Sequence, residues 1–216
     1  MNKTAERGFN APLLLRVMVM KIGVLALQGA FIEHLQALRK LGAEAVEVRT
    51  AAELLGLDGM IIPGGESTTM LKLARHYHLV KPLQEMAKRG VPVMGTCAGM
   101  VLLASKVTES DLETLCLMDI EVRRNASGRQ VDSFETDLAV PEIGDEPFHA
   151  VFIRAPYIEH LGDGVETLAR LEDGTVVAVR KDNLLALAFH PELGQDTRLH
   201  EYFMNMVRAA KKEKSR

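Results

Sequence analysis

An α/β fold with a doubly wound, mostly parallel mixed sheet flanked by helices is predicted for this 216-residue chain, and three observations predict it. Apolar runs of strand length alternate with helical patterns over the first hundred residues, the βαβα order that winds into a right-handed parallel sheet. Two of these runs lead into glycine-bearing turns, at the sheet edge where open α/β folds build their sites. The composition, 47% hydrophobic and 25% charged, supports a sizeable core and shows no sign of disorder.

In chain order, Lys21 to Leu27 is a nearly continuous apolar run, as in a strand covered on both faces. Phe31, Leu35, Leu38 and Leu41 recur at helical spacing, and Gly42 ends that helix. Ala45–Val48 reads as a strand, Ala51–Leu55 as a short helix and Gly59–Ile62 as a third strand. Helices are expected from about Thr69 to Tyr77 and Pro82 to Lys88, with Ser67 or Thr68 as a candidate N-cap of the first. Val91–Met94 is a buried strand and Met100–Ala104 continues as a buried helix. Beyond it the alternation breaks. Met118–Arg123 and Phe148–Ile153 are strand-like, and Val165–Leu171 pairs with Thr175–Val179 across the hairpin signal Asp173-Gly174, so antiparallel strands join a mixed sheet. Leu184–Phe189 is a buried strand, and a last helix runs from about Thr197 to Lys211.

The formal charge of −3 argues against nucleic acid or an anionic membrane surface as a main partner. No apolar stretch reaches the roughly 18 residues that span a bilayer. Two cysteines, Cys97 and Cys116, make no disulfide framework, which places the protein in a reducing, cytoplasmic compartment. Arg16 and Lys21 interrupt the apolar run near the N-terminus, and no small-residue cleavage site follows, so a signal peptide is rejected. Residues 1–19 are read as an extension outside the fold and 20–216 as one domain. Neither a metal nor a cofactor is expected.

Gly95-Thr96-Cys97-Ala98-Gly99, between a strand and a helix, reads as a nucleophile elbow, with the glycines leaving room for the sharp turn. A cysteine at a helix N-terminus is favoured as the thiolate. Thiol catalysis needs a base and a group that orients it. In His190-Pro191-Glu192, residues two apart on an extended chain point to the same side, so Glu192 is placed to hold one imidazole nitrogen while the other exchanges a proton with Cys97. The Pro63-Gly64-Gly65-Glu66-Ser67 turn frees its backbone to present an N–H, as an oxyanion hole requires.

Pro63-Gly64-Gly65-Glu66-Ser67, Gly95-Thr96-Cys97-Ala98-Gly99 and Phe189-His190-Pro191-Glu192 together resemble the class I, triad-type glutamine amidotransferases. Leu27-Gln28-Gly29-Ala30, Glu66-Ser67-Thr68-Thr69-Met70, Arg124-Asn125 with Gly128 to Glu135, and Phe152-Ile153-Arg154-Ala155-Pro156 resemble one branch, the glutaminase subunit of pyridoxal 5′-phosphate synthase. The resemblance covers residues 20 to 210 and implies a flavodoxin-like sheet and hydrolysis of L-glutamine to glutamate and ammonia. It implies Cys97 as nucleophile, His190 as general acid/base and Glu192 as orienter. Gly65, Glu66 and Ser67, with Arg124, Ile153 and Arg154, are then expected at the glutamine, and the N–H groups of Gly65 and Ala98 at the oxyanion. It further implies that ammonia passes to a barrel-shaped synthase subunit in a large hetero-oligomer, and that docking activates the glutaminase. The chain departs from the pattern at Arg123, where a glutamate is often seen, and at Cys116, where a glycine is usual, so either Arg123 or Arg124 faces the substrate. A glutaminase subunit serving a different synthase, another cysteine hydrolase of the same fold, and a non-catalytic docking subunit are the rival readings.

Overall fold

A computed structural model describes residues 19–108, 110–124 and 133–213. The expectations for the N-terminal extension up to residue 18 and for the polar stretch 125–132 lie outside the described residues. The first half alternates as expected: β1 (Lys21–Leu25), α1 (Phe31–Lys40), β2 (Glu44–Val48), a 3-10 turn at Ala51–Leu54, β3 (Gly59–Ile62), α2 (Ser67–His76), α3 (Val80–Lys88), β4 (Val93–Thr96) and α4 (Ala98–Leu103). The second half holds β5 (Ala104–Val107), β6 (Met118–Arg123), β7 (Ser133–Leu138), β8 (Phe148–Ile153), β9 (Tyr157–Leu161), β10 (Glu166–Arg170), β11 (Val176–Lys181), β12 (Leu184–Leu187) and α5 (Arg198–Glu213).

Among the described residues the main sheet has the order β10-β11-β12-β4-β3-β1-β2. From β12 to β2 every pairing is parallel, while β11 and β10 add on antiparallel at the other edge. This is the mixed, doubly wound sheet that the alternation predicts, and β2-β1-β3-β4-β12 follows the flavodoxin-like order. β3, β4 and β12 are buried at every residue, which is why their sequences read as nearly continuous apolar runs, broken only by Thr96 at the end of β4, rather than alternating ones. Their register aligns Ile62 with Gly95, and Thr96 with Leu187. The segments that follow β3, β4 and β12 therefore leave the sheet at one edge.

The remaining strands of the second half do not join this sheet. β5, β6 and β9 form one small sheet and β7 with β8 another. The expected helix through Ala104 stops at Leu103 because the chain after it captures the terminal carbonyls: Leu115 N–H donates to Leu102 O, Leu117 N–H to Leu103 O and Thr114 Oγ1 to Ala104 O. α2 begins at Ser67 rather than Thr69, and its N-cap is Glu66, neither Ser67 nor Thr68. The Glu66 carboxylate accepts from the N–H groups of Thr68 at 3.1 Å and Thr69 at 2.6 Å. Partial burial opposes its charge, but these bonds, Thr69 first, outweigh it and hold its pKa at about 2. Among the described residues, no helix is long and apolar enough to cross a membrane.

Candidate active site

Cys97 sits between β4 and α4 at φ 49°, ψ −107°, a strained conformation for a residue with a side chain. What imposes it is close packing on both sides. A Cβ on Gly99 would lie 2.0 Å from Ile62 O, and one on Gly95 would lie 2.6 Å from the Gly99 backbone, so the elbow tolerates nothing larger at either place. Cys97 N–H donates to Leu187 O at 2.8 Å, extending the β4–β12 ladder by one residue and tying the elbow to the strand that leads to His190. α4 has only six residues, and Cys97 is its N-cap. Ala98 opens α4, and its N–H has no acceptor inside the helix.

His190 Nδ1 is 2.7 Å from Glu192 Oε1, and the ring lies close enough to the Cys97 thiol for the sulfur to shift its protonation. With Nδ1 taken, Nε2 is the nitrogen left for sulfur. Burial opposes the charge on His190, yet Cys97 and then Glu192 outweigh it and raise its pKa to about 10. The arrangement favours a charged imidazolium. An extended chain does not bring the two residues together as the sequence suggests. β12 ends at Leu187, and Leu193 N–H reaches back to His190 O at 3.4 Å, so His190 to Leu193 is a turn that folds Glu192 under the ring. The backbone N–H of His190 donates to Val151 O of β8, and Cys97 Sγ lies 3.9 Å from Ile153 O, so β8 walls the site.

The Gly64-Gly65 loop lies against the same ring: a Cβ on Gly64 would be 2.3 Å from His190 Cε1. Gly64 O accepts from Ala30 N–H at 3.1 Å, and because the peptide is trans the Gly65 N–H points away from that contact. Gln28 Oε1 accepts from the Glu66 N–H at 2.8 Å. The Glu66 N–H is thus already engaged, and its side chain caps α2. Ser67 is buried and its hydroxyl accepts from Arg124 Nη1 at 3.3 Å. Arg124 also donates to Thr68 Oγ1 at 2.9 Å and to Ser110 Oγ at 3.2 Å. Arg123 instead points to Glu159 of β9, with Nε 2.6 Å from Oε1. Of the two arginines it is Arg124 that reaches the loop side of the site. Arg154 is exposed at φ 43°, one residue beyond Ile153.

Sequence reasoning missed four groups that the fold brings here: Gln28 as a function-bearing side chain, Thr96, and two buried histidines, His34 and His200. The only signal for the histidines is their place in the apolar stripes of α1 and α5. Among the described residues, no cluster of His, Cys, Asp and Glu is arranged to hold a metal ion.

Comparison with known proteins places this geometry. Residues 24–209 match the SNO glutamine amidotransferase family. The chain is 60% identical over 191 residues to "Pyridoxal 5'-phosphate synthase subunit PdxT" of Dehalococcoides mccartyi, covering 88% of this chain and 98% of that protein. It is 57% identical over 188 residues to the protein of the same name from Moorella thermoacetica, covering 87% of this chain and 100% of that one. A solved glutamine amidotransferase superposes with a TM-score of 0.82 at 49% identity, over 86% of this chain and 98% of that chain. A putative GMP synthase component from Thermoplasma acidophilum shares the fold, with a TM-score of 0.67 at 19% identity over 92% of this chain and 98% of that one. With the elbow, the histidine and the glycine loop on the edge of one such sheet, the chain belongs to the SNO glutamine amidotransferase family.

Proposed function

We propose that the chain is the glutaminase subunit of a pyridoxal 5′-phosphate synthase, hydrolysing L-glutamine to L-glutamate and ammonia through Cys97, His190 and Glu192. The observation that carries this reading is the buried His190, held at 2.7 Å by Glu192 on the same sheet edge as the buried Cys97 of the elbow. The thiolate attacks the side-chain amide carbon, and the negative oxygen of the tetrahedral intermediate is met by the N–H groups of Ala98 and Gly65. The His190 imidazolium gives its proton to the departing nitrogen, so ammonia leaves and a thioester stays on Cys97. His190, now neutral, takes a proton from water, whose oxygen attacks the thioester; glutamate leaves and the thiolate–imidazolium pair returns. Glu192 keeps Nδ1 protonated throughout.

Arg124 meets the α-carboxylate of glutamine, with Gly65, Glu66, Ser67, Ile153 and Arg154 around the rest of it. Residues 20–216 act as one domain, a reading supported by the family match over 24–209 and by a sheet that draws strands from both ends of the chain. Two curated relatives carry the synthase-subunit name, and this supports a synthase as the acceptor of ammonia in the cytoplasm. The partner is a barrel subunit in a large hetero-oligomer. Docking activates hydrolysis by turning the Gly64-Gly65 peptide, whose carbonyl is held by Ala30 N–H until then.

The test is glutamine hydrolysis by the purified chain, alone and with the synthase, together with labelling by a glutamine-analogue electrophile. Hydrolysis that rises with the synthase and a label on Cys97 are expected. A chain that binds the synthase but is never labelled would be a docking subunit, and one that cleaves other amides but not glutamine would be another cysteine hydrolase.

A further inference from the structure

Behind the site a line of polar groups runs into the core. Glu192 has two carboxylate oxygens, and only Oε1 holds His190. Oε2, fully buried and without a hydrogen bond of its own, lies at the ion-pair distance of 3.3 Å from Nε2 of His34 on α1. That same nitrogen is 3.1 Å from Oγ1 of Thr96, the residue before Cys97. On its other side His34 Nδ1 is 2.9 Å from Nε2 of His200 on α5. His34, Thr96 and His200 have no exposed surface at all.

Two imidazoles in such a place are expensive as mere packing, because a leucine pair would fill the gap between α1 and α5 without burying polar atoms. Burial, reinforced by His200 and His190, pushes the pKa of His34 well below its ordinary value, and burial lowers that of His200 to about 4. Each ring is therefore neutral and carries a single N–H. The bond between them admits two registers. If His34 Nδ1–H donates to His200, the bare lone pair of His34 Nε2 faces a carboxylate. If His200 Nε2–H donates to His34, then His34 Nε2–H faces Glu192 Oε2 and Thr96 Oγ1, and the attraction selects this register. The charged or titratable groups around His34 are Glu192, His190 and His200, and of these Glu192 carries the negative charge.

We infer that His34 is a positioning residue for Glu192: its Nε2–H, fixed in that tautomer by His200, holds the second carboxylate oxygen so that the first is kept on His190. The inference rests on the glutaminase reading above. A carboxylate free to rotate in its pocket would share its charge less well with the imidazolium, and the imidazolium would lose its proton at a lower pH.

The experiment compares the unsubstituted chain with His34→Leu and His34→Gln, each with the synthase partner, following kcat and KM for glutamine across pH. Leu is expected to lower kcat by about 10–100-fold, by analogy with the loss of an outer partner that orients a metal-bound side chain. KM should stay put, and the alkaline limb should move to lower pH. The glutamine amide N–H reaches where Nε2–H stood, so His34→Gln should recover most of the loss. A folded His34→Leu with unchanged kcat and pH profile, or equal deficits in the two variants, overturns the inference. Should His34→Leu not fold, nitrogen-15 NMR of the histidines in the unsubstituted chain decides. The neutral Nε2–H tautomer of His34 at every pH where the chain is folded is expected, and the Nδ1–H tautomer or an imidazolium refutes it. Absence of glutamine hydrolysis in the unsubstituted complex would instead overturn the glutaminase reading, with the tautomer still judging His34.

Discussion

His149 on β8 and His190 after β12 make nearly the same contact in nearly opposite surroundings. His149 bridges Glu135 at 2.8 Å and Asp137 at 2.9 Å, both on β7, while His190 holds Glu192 at 2.7 Å. Both imidazoles have raised pKa values, His149 through its bonds to Glu135 and Asp137, His190 to about 10 against the opposition of its own burial. The surface pair faces water, where the charge on each partner is screened and the geometry costs side-chain entropy. The buried pair faces a thiol. Bond length alone therefore does not make a catalytic dyad; exclusion of water and a nucleophile on the second nitrogen do.

The largest effect that tests this contrast comes from the thiol side. Cys97→Ala should abolish glutamine hydrolysis and leave the fold intact. By the precedent of serine triads the loss is about a million-fold, with Glu192→Gln nearer ten-thousand-fold because an orienter is worth less than a nucleophile. Steady-state rates with circular dichroism as a folding control check both. Wild-type turnover by Cys97→Ala would remove the triad assignment altogether.

Next in size is Arg124, whose guanidinium spans three hydroxyls beside the glycine loop. Arg124→Ala should raise the KM for glutamine or lower kcat/KM by an amount equivalent to about 2–5 kcal/mol, the cost of leaving a substrate carboxylate without its cation. Arg123→Ala, which removes a contact with Glu159 on β9, should leave both constants unchanged. The reverse result would make Arg123 the substrate-facing residue.

A smaller effect separates the neutral histidines from the charged one by pH. His200 titrates near 4 in the folded chain and near 6.5 unfolded, so between those values the unfolded chain binds more protons. Its contribution to stability is complete above pH 6.5 and drains as pH falls toward 4, amounting to about 3 kcal/mol for that gap. His34 works in the same direction. Urea unfolding at neutral pH and near pH 4 should show this loss, and His200→Phe should show less of it. His190 behaves oppositely. Its raised pKa contributes stability fully present below 6.5 and lost as pH rises through about 10. Equal acid sensitivity with and without His200 would contradict the neutral pair.

How much of this was legible in the sequence follows from how local each signal is. β3 and the strands Met118–Arg123 and Phe148–Ile153 appear with the expected bounds, because an apolar run of strand length is written into consecutive residues. So are the elbow glycines, which meet backbone only a few residues or one strand away. β9 escaped because Glu159 and His160 interrupt its apolar residues, and β5 because it starts where an apolar run invites a longer helix; only the distant capture of its carbonyls stops α4. The turn at His190–Leu193 escaped because Pro191 suits an extended reading equally well. His34 and His200 stand 166 residues apart, each a lone polar residue in an amphipathic stripe, and only the packing of α1 and α5 joins them to Glu192.

The smallest expected effect is the one that sharpens the opening contrast most. His149→Ala removes an imidazole whose contacts look as good as those of the triad, yet the side chain is more than half exposed and lies between two exposed carboxylates. Removing it leaves Glu135 and Asp137 in water, where neither carries a desolvation penalty, so kcat/KM for glutamine should not change. Any effect on melting temperature should appear at low ionic strength, where Debye screening is weak, and vanish at about 1 M salt. It should also depend on pH with a known sign: a raised histidine pKa contributes below the ordinary value of 6.5 and is lost as pH climbs through the raised one. A salt-independent destabilisation, or a loss of turnover, would mean that β7 and β8 transmit this pair to the β8 backbone carbonyls of Val151 and Ile153 that wall the site. The distinction drawn between surface and buried dyads would then fail at its simplest point.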